Sequence, residues 1–183
     1  MHLLCGCLLA KKWSIIVKKL LPLLIIFVIL GISAVIFISM AKNDQPMTIA
    51  KGNKEMKVLD FKLNFTNDSH CKMLIHEKRN ALEVATPSGK TWFFDDPACM
   101  VSWIQDKSFK NSSKIWVYTL DTKRWIDAKK AWYGVTNKTA MHSGFGAREH
   151  KIEKSIDFNE MSLRVLRGET LDNPKIRKKL LGD

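Results

Sequence analysis

At 183 residues with a formal net charge of +12, the chain has room for one compact domain and a segment of another kind. It is 46% hydrophobic and 26% charged, which excludes a disordered polyelectrolyte. The positive balance suits an anionic membrane surface or nucleic acid. The basic residues are scattered among acids and no nucleic-acid motif accompanies them, so a membrane surface is the better reading.

Residues 20–39 read LLPLLIIFVILGISAVIFIS, with no charge. About 20 apolar residues suffice to cross the hydrocarbon core as a helix, and Pro22 falls near the start of the span, where proline is best tolerated. A cleaved signal peptide has a shorter apolar core and a small-residue cleavage site. Here Ala41-Lys42-Asn43 follows, so an uncleaved anchor is expected. Lys11, Lys12, Lys18 and Lys19 precede the span, which predicts a short cytoplasmic segment over 1–19 and everything beyond the anchor outside. In a bacterium this is a single-pass inner-membrane protein with a periplasmic domain. Four of the 30 cations flank the span and all 18 acids follow it, leaving the outer part at about +8. Cys5 and Cys7 have no apolar region before them, which argues against a lipoprotein signal.

Residues 40–56 are polar, with Pro46 and Gly52, and read as a linker. The domain is expected over 57–148. Lys57–Phe65 alternates weakly, as a first strand would. Ala81–Thr86 and Thr91–Phe94 flank Pro87-Ser88-Gly89-Lys90, a hairpin pattern. Asp96 before Pro97 is an N-cap signal and opens a helix to about Asp106, with Met100, Val101 and Ile104 for the core. Lys114–Leu120 and Arg124–Ala128 form a second hairpin. The unit from Ala81 to Leu120 is thus strand, strand, helix, strand: an α+β fold of small antiparallel sheets with helices. Residues 136–146 are a glycine-containing loop. Residues 149–183 are a charged helical tail, its last helix opened by Asn173-Pro174 and ending near Gly182.

The chemistry-bearing residues lie at two points. Cys71 and Met73, two apart, share one side of an extended segment, whereas on a helix they diverge by about 200°. Thiolate and thioether together select Cu(I) over hard cations. Met141, in the later loop, is a third soft donor. His70 and His142 are candidates to support the site or to supply a fourth ligand, while His76 and His150 read as surface residues. Cys99 lies in the first helical turn, where the helix terminus depresses a thiol pKa. It is an accessory candidate, and a Cys71–Cys99 disulfide is the main rival to a metal role for Cys71. No CxxC pair or HExxH favours zinc, and no phosphate loop or nucleophilic triad appears, so the chain does not read as an enzyme. Asp95-Asp96 reads as capping rather than as a catalytic pair. A metal-free, membrane-anchored interaction and assembly module is the alternative reading, motivated by the lysine-rich surface and the tail.

The ordered set Cys71-Lys72-Met73, Gly89–Met100 with its FDD-x-x-CM block (residues 94–100), Trp125–Ala128 with Ala131–Tyr133, and Ala140–Ala147 resembles the NosL family, the accessory proteins of nitrous-oxide reductase assembly. The resemblance spans residues 68–148. It implies paired ββαβ-like units and a periplasmic Cu(I) chaperone whose ligands fall on Cys71, Met73 and Met141. The implied partners are a periplasmic assembly protein, an ABC transporter and the reductase or another cuproenzyme. Three departures stand out: Lys72 replaces the usual glycine of Cys-Gly-Met, Ala140 replaces a common proline, and the anchor replaces a lipid attachment.

Overall fold

The computed structural model describes residues 3–43 and 46–182. The side chains of 3–19 and 41–43 lie outside that description, among them Cys5, Cys7 and the anchor-flank lysines. The chain divides into two compact units at Gln45/Pro46.

The first unit is one helix, α1 (Leu3–Asn43, 41 residues). Its segment Leu20–Met40 has a mean hydropathy of 3.1, and at 1.5 Å per residue it is about 31 Å long. It is therefore long and apolar enough to cross a membrane. Pro22 lies inside this helix rather than near its start. The helix begins well before the apolar span because the residues ahead of it also favour helix.

The second unit holds a five-stranded antiparallel sheet in the order β1-β3-β2-β4-β5. Its strands are β1 (Ile49–Ala50), β2 (Leu82–Ala85), β3 (Thr91–Phe94), β4 (Lys114–Tyr118) and β5 (Trp125–Asp127). The hairpin β2–β3 pairs Leu82 with Phe94 and Ala85 with Thr91. Its turn uses Gly89 at φ +82°, a left-handed conformation that glycine adopts without steric cost. Helix α2 (Pro97–Ile104) follows, opened by Asp96, whose Oδ1 accepts from Ala98 N at 2.8 Å. It ends at Ile104, short of the Asp106 expected. The β2–β3–α2–β4 order is the expected strand, strand, helix, strand unit, and the fold is α+β. A second, two-stranded sheet, β6 (Trp132–Gly134) with β7 (Gly146–Arg148), brackets the glycine loop. It leads to α3 (Phe158–Leu166) and α4 (Pro174–Leu181).

Alternation along the strands sorts their side chains. Leu82, Val84, Trp92 and Phe94 join α2's Met100, Val101 and Ile104 in the main core, together with Tyr133, Phe145 and Met161. Phe93 turns the other way and packs with Phe61, Ile75 and Ala81 in a smaller core. Glu83, next along β2 from Leu82, is fully buried.

Three sequence expectations are corrected here. Lys57–Phe65 is not a strand, because side chains take the backbone groups a neighbouring strand would use. Glu83 Oε2 accepts from Leu59 N at 2.9 Å, and Asn53 Oδ1 accepts from Lys57 N at 3.1 Å. Residues 46–56 are not a free linker: β1 pairs with β3, and Trp116 Nε1 donates to Met56 O. Residues 149–182 carry helices over Phe158–Leu166 and Pro174–Leu181, as expected of a helical segment, but they belong to the compact unit rather than to a tail, with Met161 fully buried.

Candidate metal centre

The loop before β2 is organised by one buried aspartate. Asp68 Oδ1 accepts from the N–H groups of His70 (2.6 Å) and Cys71 (3.0 Å), and its Oδ2 accepts from Asp95 N at 3.0 Å. Two backbone bonds close the loop on itself: Lys72 N to Asp68 O, and Asp68 N to Met73 O. Ser69 pins it to the sheet, donating N–H to Phe93 O and accepting Phe93 N at its own Oγ. Cys71 is therefore held in a tight turn, not in the extended segment its spacing with Met73 suggested. The turn needs Lys72 in the left-handed region, at φ +67°. This is a conformational reason for glycine at the position. The Lys72 ammonium folds back onto Ser69 O at 2.7 Å.

A second aspartate positions the later loop. Asp96 caps α2 with one carboxylate oxygen and accepts Met141 N at 3.0 Å with the other. The loop is closed at its base by Asn137 N to Gly144 O and braced inside by Ser143 N to Thr139 Oγ1. His142 sits at φ +55°. The segment after α3 reaches this loop through Leu171 N to Ser143 O at 3.1 Å.

These devices bring the two points of the sequence together. Cys71, Cys99, Met141 and His70 line one open cleft of about 400 Å³. Met73 opens on a separate cleft, with Asp95 and Ala140. At the floor, Sγ of Cys71 and of Cys99 and a carboxylate oxygen of each of Asp68 and Asp95 all lie within 4.8 Å of one another. Burial is graded: Cys99 is 4% exposed and Cys71 half-buried, while Met141 and Met73 are 36% and 46% exposed. His142 is exposed, and neither Cys71 nor Cys99 is in a disulfide. His76 and His150 face Asn64 and Asp121 away from the cluster.

The electrostatics run against the expectation for Cys99. Burial, then the charges of Asp68 and Asp96, push its thiol pKa up, overriding the helix terminus. Burial and the neighbouring Asp68 and Asp95 also raise Cys71. Burial and then Asp68 raise Asp95. A cation on the floor reverses this situation, since each of these groups gains from a positive charge beside it.

Asp68 and Asp95 are the members of the candidate cluster that sequence reasoning missed. Asp96 does the capping assigned to the Asp95-Asp96 pair, and Asp95 faces the cluster with its Oδ1 unpartnered. The turn-forming composition of Thr66-Asn67-Asp68-Ser69 is a local signal for a loop there, not for the role of Asp68.

No protein-family model matches the chain, and no curated protein sequence matches it. Among solved structures it is similar to the crystal structure of the copper chaperone NosL from Shewanella denitrificans, at 20% identity and a TM-score of 0.49, over 57% of this chain and 95% of that one.

Proposed function

We propose that the protein is a membrane-anchored Cu(I)-binding metallochaperone that holds its cargo at Cys71, Met73 and Met141, with His70 and His142 at the margin. The observation behind this reading is that Cys71 and Met141, far apart in sequence, line one open cleft. The donor chemistry supports a soft ion. Asp68 already accepts three backbone N–H groups, so it has little left for a hard cation, and Cys71, Cys99 and Met141 bring three sulfur donors to the cleft. Met73 is half-exposed, and its three rotatable bonds let the thioether swing toward the Cys71 loop.

The exposure of the outer sulfurs suits transfer. An ion held by a few accessible ligands passes to an acceptor by stepwise ligand exchange, with no bond made or broken in the protein itself. In this reading α1 is the anchor, the second unit is periplasmic, and the acceptor is nitrous-oxide reductase or another cuproenzyme. A periplasmic assembly protein and an ABC transporter are the proposed helpers.

The test is Cu(I) competition against a chromogenic chelator, using the chain with Cys5→Ser and Cys7→Ser so that the N-terminal thiols do not compete. Cys71→Ser should weaken binding at least tenfold and Met141→Ala by a smaller factor. Unchanged affinity in both variants overturns the assignment.

A further inference from the structure

We infer that Cys99 is a second thiolate ligand for the ion, giving the site an inner position between Cys71 and Cys99 beneath an outer one formed by Cys71 and the methionines. The inference rests on the Cu(I) reading above and adds a residue and a second resting place to it.

Three observations support it. First, the two sulfurs lie within 4.8 Å. A metal–thiolate bond is roughly 2.3 Å, so two such bonds span up to about 4.6 Å, and a side-chain shift of a few tenths of an ångström closes any remaining difference. Second, Cys99 and Cys71 line the same cleft as Met141, so an ion arriving at the exposed thioether has an open path inward. Third, Asp95 is 7% exposed, a carboxylate oxygen of it belongs to the same cluster, and its Oδ1 has no hydrogen-bond partner. Leaving a buried carboxylate oxygen unpartnered costs free energy unless something positive meets it. A thiol that only filled space on α2 would not need a second thiol and two carboxylates around it.

The chemistry balances without any redox step. Two S–H bonds break, two S–Cu bonds form, and two protons leave through the cleft to solvent. The copper stays Cu(I), and the thiolate pair with its ion carries one negative charge. Cys71 belongs to both positions, so the ion moves between them by exchanging Cys99 for a methionine. The inner position holds the ion more tightly and out of reach, and the outer one offers it to an acceptor.

The experiment uses the Cys5→Ser, Cys7→Ser chain in detergent, loaded anaerobically with one equivalent of Cu(I). X-ray absorption at the copper edge and chelator competition are compared for this protein, Cys99→Ser and Cys99→Ala, with circular dichroism to establish folding. The alanine variant avoids a buried hydroxyl. The inference expects two short thiolate bonds in the parent. Each folded variant should lose one of them and bind at least tenfold more weakly. A folded variant with an unchanged copper spectrum and affinity overturns it and leaves Cys99 a packing residue. If neither variant folds, the parent spectrum decides: two equal short thiolate bonds support the inference, and one with longer thioether bonds overturns it. A parent that takes up no copper instead overturns the underlying reading.

Discussion

Single residues set the site, and Lys72 shows how. Its left-handed backbone is what the Cys71 turn demands, and for a residue with a Cβ that conformation costs roughly 1–2 kcal/mol. Glycine removes that cost but adds roughly 0.5–1 kcal/mol of unfolded-chain entropy. It also gives up the contact with Ser69 O. Lys72→Gly should therefore raise stability by about 0.5 kcal/mol, read as a melting temperature about 2 °C higher. A lower melting temperature would mean that the folded-back ammonium outweighs the backbone strain. The sequence marked Lys72 as a replacement for the usual glycine, but its backbone angle was invisible there. Other residues were legible because their signals are local. Asp96 before Pro97, Gly89 in its turn and Asn173 before Pro174 each act within a few positions of themselves. Asp68 was not, because its work is to join Cys71 to Asp95 across the strand hairpin.

At the level of elements, the central strand β2 carries a buried charge-bearing group. Glu83 is flanked by β3 and β4 and meets Leu59 N with only one oxygen, and the other is unpartnered. Burial pushes its pKa up from 4.5 to about 8 against the opposing pull of the Leu59 N–H. The folded protein thus holds this proton more tightly than the unfolded chain. The stability contributed by the protonated form is full below about pH 4.5 and is lost as pH rises toward about 8. The slope is at most about 1.4 kcal/mol per pH unit from this one group. Asp95, also raised by burial, adds a slope of the same sign. Glu83→Gln keeps an acceptor for Leu59 and should flatten the curve, leaving only the Asp95 share. Urea denaturation at about pH 5, 6, 7 and 8 would show it, and an unchanged slope would exclude Glu83 as its source. The same glutamate explains why 57–65 was misread. Weak alternation suggests a strand, but the backbone there is satisfied by Glu83 and Asn53 side chains, which no periodicity reveals.

For the second unit as a whole, the boundary lies elsewhere than composition placed it. The charged residues of 149–183 looked like a tail because α3 buries only a narrow stripe against α2. Yet Met161 is fully enclosed in the main core. Met161→Ala should cost about 2–5 kcal/mol in denaturant unfolding, as for other large core truncations. A loss under 1 kcal/mol would show that the segment is peripheral after all. The contact from Leu171 to Ser143 extends the point to the site, since the loop bearing Met141 rests on residues that follow it in the chain. Chains emerge from the ribosome N-terminus first. Cys71 and Cys99 are therefore exposed during synthesis before the residues that brace their third partner exist. In the proposed reading, a nascent chain halted after Arg148 presents thiols without a finished cradle, and loading with metal falls to the completed protein rather than to the growing one.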